Sequence, residues 1–573
     1  MAVTNIQEVR GRRLDLIKVV NGEVPADRII ENGTLVNVLT REKLAHDVVV
    51  KGKRIAYVGP DGRKFAGEGT EIVDTSGLYL APGFLDAHLH IESSMLSPTR
   101  FARLVAGRGI TTIFFDPHEI ANVAGIEGVR WMTDEMNRTP VNGFLTVPSC
   151  IPASSTELET TGGEFGLPQI KEALGWDTAA ALGEMMNFPG VLNRDEETID
   201  KLAATADTHL PIEGHASGLT GPQLDGYVAA GVGSDHESVT KQEAVERARK
   251  GLWTYIREGS GWSDLVQVIK AITEEGLSTD RFCLVTDDRD PHDLLTEGGV
   301  DNSIRLAIEE GLDPVEAIRM ATINPATRYR LDDEIGSIAP GRRADINLIS
   351  NLEGLTVEET YLGGVPVGEI GWPETGGSSL KNTVNVNEIT PQMLEPDEGG
   401  NYGLLAHKSD ILTEKLDLTD EEVDVNDLDR LAVIERHRGT GNIGTCYVGG
   451  FNLGDGAIAS TVAHDSHNLI VIGGNAEDMA AAANHLAEVG GGQTVVKDRE
   501  VLATVELPIG GLMSSADPES VASSVRKVNE GVDELGCDVD QPLMILSSLA
   551  LAVIPELRLT DKGLVDVNRQ EII

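Results

Sequence analysis

Cysteine is scarce in this chain: Cys150, Cys283, Cys446 and Cys537 lie far apart among 573 residues, with no C-x-x-C spacing. That excludes a disulfide framework and a thiolate zinc site, and leaves buried thiols. No run of about 18 apolar residues occurs, so no membrane span is expected. The start, Met1-Ala2-Val3-Thr4-Asn5-Ile6-Gln7-Glu8, lacks the basic and apolar segments of a signal peptide, so a cytoplasmic protein is expected. Positive charge is also short, with 47 Lys and Arg against 92 Asp and Glu and a formal net charge of −45. Such a field repels nucleic acid and anionic membranes, which removes both as partners.

Lysine is the rarer base, 16 residues beside 31 Arg, and the acid excess is spread over the whole chain. This pattern resembles proteins of salt-in halophiles, where a Debye length of about 3 Å at molar salt screens self-repulsion. A hydrophobic content of 40% is ample for folding. The length predicts about two to four domains rather than one core.

The chain is organised around Ala81-Pro82-Gly83-Phe84-Leu85-Asp86-Ala87-His88-Leu89-His90. Two histidines separated by one residue project to one face of a strand and can reach one metal ion. By themselves they are equally well hydrogen-bonded histidines at a rim. The remaining strand ends decide between the two.

Residues 1–30 read as a helical lead-in, with Val9, Leu14, Ile17 and Val20 at helical spacing. Short β runs follow in 33–73 and the same style returns at 334–349, so the flanks 31–80 and 335–365 are expected to pair into a small β-sandwich domain. Between them, in 81–334, eight apolar runs alternate with helix-compatible segments, the size and period of a (β/α)8 TIM-like barrel. The runs end at His88 and His90; at Asp116-Pro117-His118-Glu119; at Pro148-Ser149-Cys150; at Glu184; at His215; at His236; at Arg257; and at Asp287-Asp288. In a barrel all eight ends meet on one face. His88, His90, Glu184, His215, His236 and Asp287 then surround one pocket as nitrogen and oxygen ligands, enough for two divalent metal ions bridged by a carboxylate. The donor types favour manganese, iron or zinc over copper.

These residues carry a resemblance to the amidohydrolase superfamily, through Pro82-Gly83-Phe84-Leu85-Asp86-Ala87-His88-Leu89-His90 with His215, His236 and Asp287. Within it the chain resembles the adenine deaminases, through His90-Ile91-Glu92-Ser93-Ser94-Met95, Asp116-Pro117-His118-Glu119-Ile120-Ala121-Asn122-Val123, Val147-Pro148-Ser149-Cys150, Gly183-Glu184-Met185-Met186-Asn187 and Ala463-His464-Asp465-Ser466-His467-Asn468. Many binuclear members of the superfamily use a carboxylated lysine on the fourth strand; here Glu184 stands there and can bridge two cations itself.

The resemblance implies hydrolysis of adenine to hypoxanthine and ammonia in purine salvage, with manganese placed first among the metals and a homo-oligomer, a dimer, as the assembly. A metal-lowered water pKa makes hydroxide available to attack purine C6, and Asp287 takes and returns the proton. Glu92, Ser93, His118 and Glu119 would bind the base, with Glu92, His118 and Glu119 relaying protons. The Asp-Pro-His-Glu segment reads equally as a helix start with Glu119 in its first turn. The His-x-Glu and Pro-Cys-x-x-Cys pattern of the zinc nucleobase deaminases is absent.

Beyond a connector at 371–379, the stretch 366–573 reads as a C-terminal α+β domain, with strands at 429–436, 457–464 and 468–474 and helices at 475–489 and 518–535. His464-Asp465-Ser466-His467 invites a second metal site or a Ser/His/Asp group, but ligands confined to one tight loop favour a polar support for an interface or an active-site entrance. Gly439-Thr440-Gly441-Asn442-Ile443-Gly444 lacks the Lys-Ser/Thr of a phosphate loop and reads as a turn. Two other functions remain in view. A cyclic-amide hydrolase of the dihydroorotase or hydantoinase kind would want the fourth-strand lysine, and a non-catalytic scaffold has no need to gather six polar groups.

Overall fold

The computed structural model describes residues 6–377, 380–396, 401–407, 410–421 and 423–573. Residues 1–5 of the expected lead-in and Ser378 and Ser379 of the expected connector lie outside them. The eight central runs are parallel strands: β1 (Phe84–Leu89), β2 (Ile110–Phe115), β3 (Asn142–Val147), β4 (Ala179–Met185), β5 (Ile212–Gly214), β6 (Ser234–Asp235), β7 (Trp253–Arg257) and β8 (Phe282–Val285). β1 and β2 are buried along their whole length, as expected of parallel strands covered on both faces.

β1 to β5 pair side by side, as do β6 to β8. Backbone bonds join the two arrays. Asp287 N–H donates to His88 O (3.1 Å) and His90 N–H to Asp287 O (3.3 Å) on one side, and Gly233 N–H donates to Ile212 O (3.0 Å) on the other. The curled parallel array is consistent with a TIM-like barrel. Its interior is filled by Leu85, Ala87, Phe114, Ala181, Tyr255, Cys283 and Val285, with Tyr329 stacked on Phe114 at 3.7 Å between ring centroids.

The flanks interleave around this unit. A four-stranded sheet takes Arg28–Glu31, Asp47–Lys51, Arg54–Gly59 and Glu71–Asp74. A six-stranded sheet joins Thr34–Asn37, Glu42–Leu44 and Tyr79–Pro82 to Ile346–Asn351, Thr356–Leu362 and Val365–Pro366. Ile30, Val48 and Ile55 of the first share a core with Leu35, Leu80, Ile346 and Tyr361 of the second. The helix Ile6–Val20 packs through Leu16 and Val19 against Ile29, Val49 and Phe65.

The C-terminal part is built on an eight-stranded sheet whose centre is Ile443–Gly449, Asp429–Ile434, Leu469–Gly473 and Ala457–Ser460. Side chains alternate across it. Ala432, Ile434, Ala459, Leu469 and Val471 pack against the helix Ala476–Val489, which Asn475 caps. Leu431, Val433, Ile458, Ile470 and Ile472 face the other way, into a core that includes Val521, Val525, Val528 and Val532 of the helix Pro518–Leu535 and is continuous with the outside of the barrel. Both faces are therefore buried, and one of them docks this domain onto the mouth of the barrel. Ser97 N–H donates to Ser514 O (2.8 Å) and Ser514 N–H to Met95 O (2.8 Å). Asn468 Nδ2 donates to Thr160 O (2.9 Å). The connector crosses the same region, with Thr375 Oγ1 2.7 Å from Ser97 Oγ and Gly376 N–H donating to Glu135 Oε2 (2.9 Å).

Candidate active site

His88 and His90 leave the end of β1 with their rings 4.9 Å apart. His90 Nδ1 is 2.9 Å from Asp116 O, and a carbonyl only accepts, so Nδ1 carries a proton and Nε2 is the ring atom turned to the other donors. That Nε2 lies 3.2 Å from Asp287 Oδ1 and 3.4 Å from Glu184 Oε1. His88 stacks on His236 at 4.2 Å, and its buried Nε2, 3.5 Å from Asp287 Oδ1, has no hydrogen-bond partner among the described residues.

Glu184, on β4, stands at the centre. Its Oε2 lies 2.7 Å from His215 Nδ1 and 3.3 Å from His236 Nε2, while Oε1 lies 3.4 Å from His90 Nε2 and 3.5 Å from His118 Nδ1. Burial alone would raise this carboxyl, but the His215 and His236 imidazoles hold it well below the usual carboxylate range. Burial would likewise lower His236; the Glu184 carboxylate instead lifts it to about 9. Asp116, at the end of β2, fixes the backbone here by accepting the Glu184 N–H at 3.0 Å. It can do so only because residue 183 is glycine: a Cβ there would lie 2.1 Å from Asp116 Oδ2.

Asp287 follows β8 in the left-handed region, φ 59°, uncommon for a residue with a side chain and more frequent for Asp and Asn. Thr286 beside it is anchored through Oγ1 to Asp86 Oδ2 (2.6 Å), and burial pushes the Asp86 carboxyl up to about 7. Asp287 Oδ2 accepts from Arg257 Nη1 at 3.2 Å. Arg257 also pairs with Glu237 and, at 2.8 Å, with Asp264. Burial would raise Asp287; the His88 and His90 imidazoles beside it hold its carboxyl well below the usual carboxylate range.

These donors suit a divalent metal centre. Ligand atoms about 2.0–2.2 Å from one ion stand roughly 3.0–3.5 Å from each other, the range of most of the separations given above. His88, His90 and Glu184 form one cluster of mutually close donor atoms, His88, His236 and Asp287 a second, and Glu184, His215 and His236 a third. Within them the buried His88 Nε2 has no hydrogen-bond partner among the described residues, which suits a nitrogen available to a metal ion. All six strand-end residues singled out in the sequence are thus brought together, with Glu184 between the two histidine pairs.

Of the other candidates, His118 and Glu119 open the helix His118–Asn137, so the segment is a helix start and a rim of the site at once. Burial would lower His118, but Asp116 beside it raises it to about 10. Ser93 Oγ lies 3.1 Å from Glu119 Oε1 and also contacts Asp288. Glu92 sits behind them, accepting Ile120 N–H at 3.2 Å, and burial next to Glu119 pushes its carboxyl up to about 8. A cavity of about 490 Å³ adjoins the donor cluster, lined by Ser93, Glu119 and Asp288 from the barrel and by His464, Gln493 and Ser547 from the C-terminal domain. In the sequence Asp116 and Arg257 stand out only as strand ends with no role assigned, and Glu237 does not stand out at all. Arg257 ends β7 and Asp116 ends β2, so the strand-end rule that found the histidines also points to them.

An amidohydrolase family model matches residues 79–367, and a model of the adenine deaminase C-terminal domain matches 409–571. Curated adenine deaminases align nearly end to end: one from Ruegeria sp. (strain TM1040) is 45% identical over 96% of this chain and 95% of its own. Those of Paracoccus denitrificans and Clostridium botulinum (strain ATCC 19397 / Type A) are 42% and 41% identical over 97% of this chain and 96% of theirs. With identity of this level spread over barrel and C-terminal domain alike, the chain belongs to the adenine deaminase family of amidohydrolases.

Proposed function

We propose that the protein deaminates adenine hydrolytically, yielding hypoxanthine and ammonia for purine salvage. The observation that carries this is Glu184 set between His90 on one side and His215 and His236 on the other, with Asp287 facing the same space. It supports two divalent cations, manganese first, held by His88, His90, Glu184, His215, His236 and Asp287. Cations bound there supply Lewis acidity, which makes water nucleophilic near neutral pH.

Asp287 is the proton acceptor, ionised and backed by Arg257. Water oxygen bonds to purine C6, Asp287 takes its proton, and the same carboxyl returns it as the C6–N6 bond breaks and ammonia leaves. Ser93, His118 and Glu119 orient the ring from the side of the cavity, and Glu92 fixes the helix start that presents them. We further read the chain as a barrel at 81–334, a β-sandwich at 31–80 and 335–365, and a C-terminal domain from 366, working as a cytoplasmic dimer. Ammonia release measured with adenine, adenosine, cytosine and dihydroorotate tests the activity: adenine alone should be turned over, and preference for dihydroorotate would overturn the reading.

A further inference from the structure

His467 belongs to the C-terminal domain, yet it is fully buried against the barrel, with φ 52°. Its loop is pinned from several sides. The buried Arg436 guanidinium donates through Nε to His467 O and through Nη2 to Gly510 O (3.0 Å), His437 Nε2 lies 2.7 Å from Ser466 O, and Asn468 reaches Thr160 O across the interface.

Nδ1 of His467 accepts the Ala463 N–H at 3.2 Å. A neutral imidazole whose Nδ1 accepts carries its proton on Nε2, and burial beside His464 and Arg436 keeps this ring neutral. Nε2 lies 3.7 Å from Oε2 of Glu119. Neither atom has a hydrogen-bond partner among the described residues, although both are buried. The same tautomer argues against a third cation held by Glu119, His464 and His467, because Nε2 has no lone pair to offer.

We propose that His467 is a positioning residue for the deamination: its Nε2–H holds Oε2 of Glu119, leaving Oε1 and the Ser93 hydroxyl turned to the purine, so that the C-terminal domain completes a site whose metal ligands all lie on the barrel. The inference rests on the adenine deaminase reading. It explains why two strongly polar buried atoms lie close together where an apolar contact would serve packing better. The long separation fits a contact that shortens when substrate fills the adjoining cavity.

The test compares two isosteres in the full-length, metal-loaded enzyme. His467→Asn keeps an acceptor for Ala463 N–H and removes the donor to Glu119; His467→Gln keeps a donor at the Nε2 position. The expected result is a fall in kcat/KM for adenine of about 10- to 100-fold in His467→Asn, carried mainly by kcat. Metal content should be unchanged, and His467→Gln should recover most of the loss. In a Glu119→Gln background, His467→Asn should add little, since the two residues act as one unit. Parent-level kcat/KM in His467→Asn, an equal loss in His467→Gln, or loss of one metal equivalent in either variant would overturn the inference while leaving the parent's activity on adenine intact. A parent enzyme inactive on adenine overturns both readings together.

Discussion

Replacing Gly183 by alanine adds one methyl group where no room exists. The new Cβ would stand 2.1 Å from Asp116 Oδ2, 2.9 Å from Asp116 Cγ and 2.9 Å from Val147 O. Ordinary contact for a methyl carbon and an oxygen is about 3.4–4.0 Å, so the fully buried Asp116 carboxylate must retreat by about 1 Å. That retreat breaks its bond to the Glu184 N–H. Overpacking of this kind costs about 1–3 kcal/mol and loss of a buried hydrogen bond to a charged group about 1.5–3 kcal/mol, so the expected destabilisation is about 3–5 kcal/mol. Glu184 moves with its backbone, and a displacement near 1 Å in a reacting constellation lowers turnover by about 100-fold. The unfolding midpoint and ammonia release would be followed for Gly183→Ala beside Gly368→Ala, where a Cβ meets nothing within 4 Å. The control should stay within about 0.5 kcal/mol of the parent. If Gly183→Ala matches the control in both measurements, the reasoning that ties Gly183 through Asp116 to Glu184 is refuted.

His88→Ala should lose bound metal and nearly all activity while circular dichroism stays native, because the barrel interior is packed by Leu85, Ala87 and Phe114 rather than by that ring; an unchanged metal count with full activity would remove His88 from the ligand set. Asp287→Asn keeps the size of the side chain and removes its basicity, so it should still bind purine and at least one metal ion but lose about a hundredfold or more in kcat, the scale of general acid-base groups; turnover at the parent rate would hand the proton to another group. If the net charge of −45 is a salt adaptation, the melting temperature should rise as KCl goes from about 0.1 M to molar levels. A flat or falling melting temperature would show that the charge serves something else.

Much of the metal-binding half of the site was legible in the residues. Each proposed ligand ends an apolar run, and a parallel barrel carries every such end to one face, so His88, His90, Glu184, His215, His236 and Asp287 could be gathered by local pattern and topology alone. Gly183 before Glu184 was quoted as a motif, but its physical reason, the approach of Asp116, exists only once β2 and β4 are placed. Arg257 and Glu237 escaped because a charged residue in a sequence does not announce that it will be buried against Asp287.

The Asp116-Pro117-His118-Glu119 segment is a helix start at His118, and Glu119 in its first turn also lines the cavity, so the helix reading does not exclude a place at the site. His464 to His467 lie in one tight loop of the C-terminal domain. Glu119, far away in sequence, comes within 3.7 Å of His467 only when one face of the C-terminal sheet docks on the barrel. Alternation at Leu431, Ala432, Val433 and Ile434 tells that both faces are apolar, and so buried. Which face meets the barrel depends on long-range shape complementarity, and that belongs to the tertiary structure because no residue's own preferences encode it.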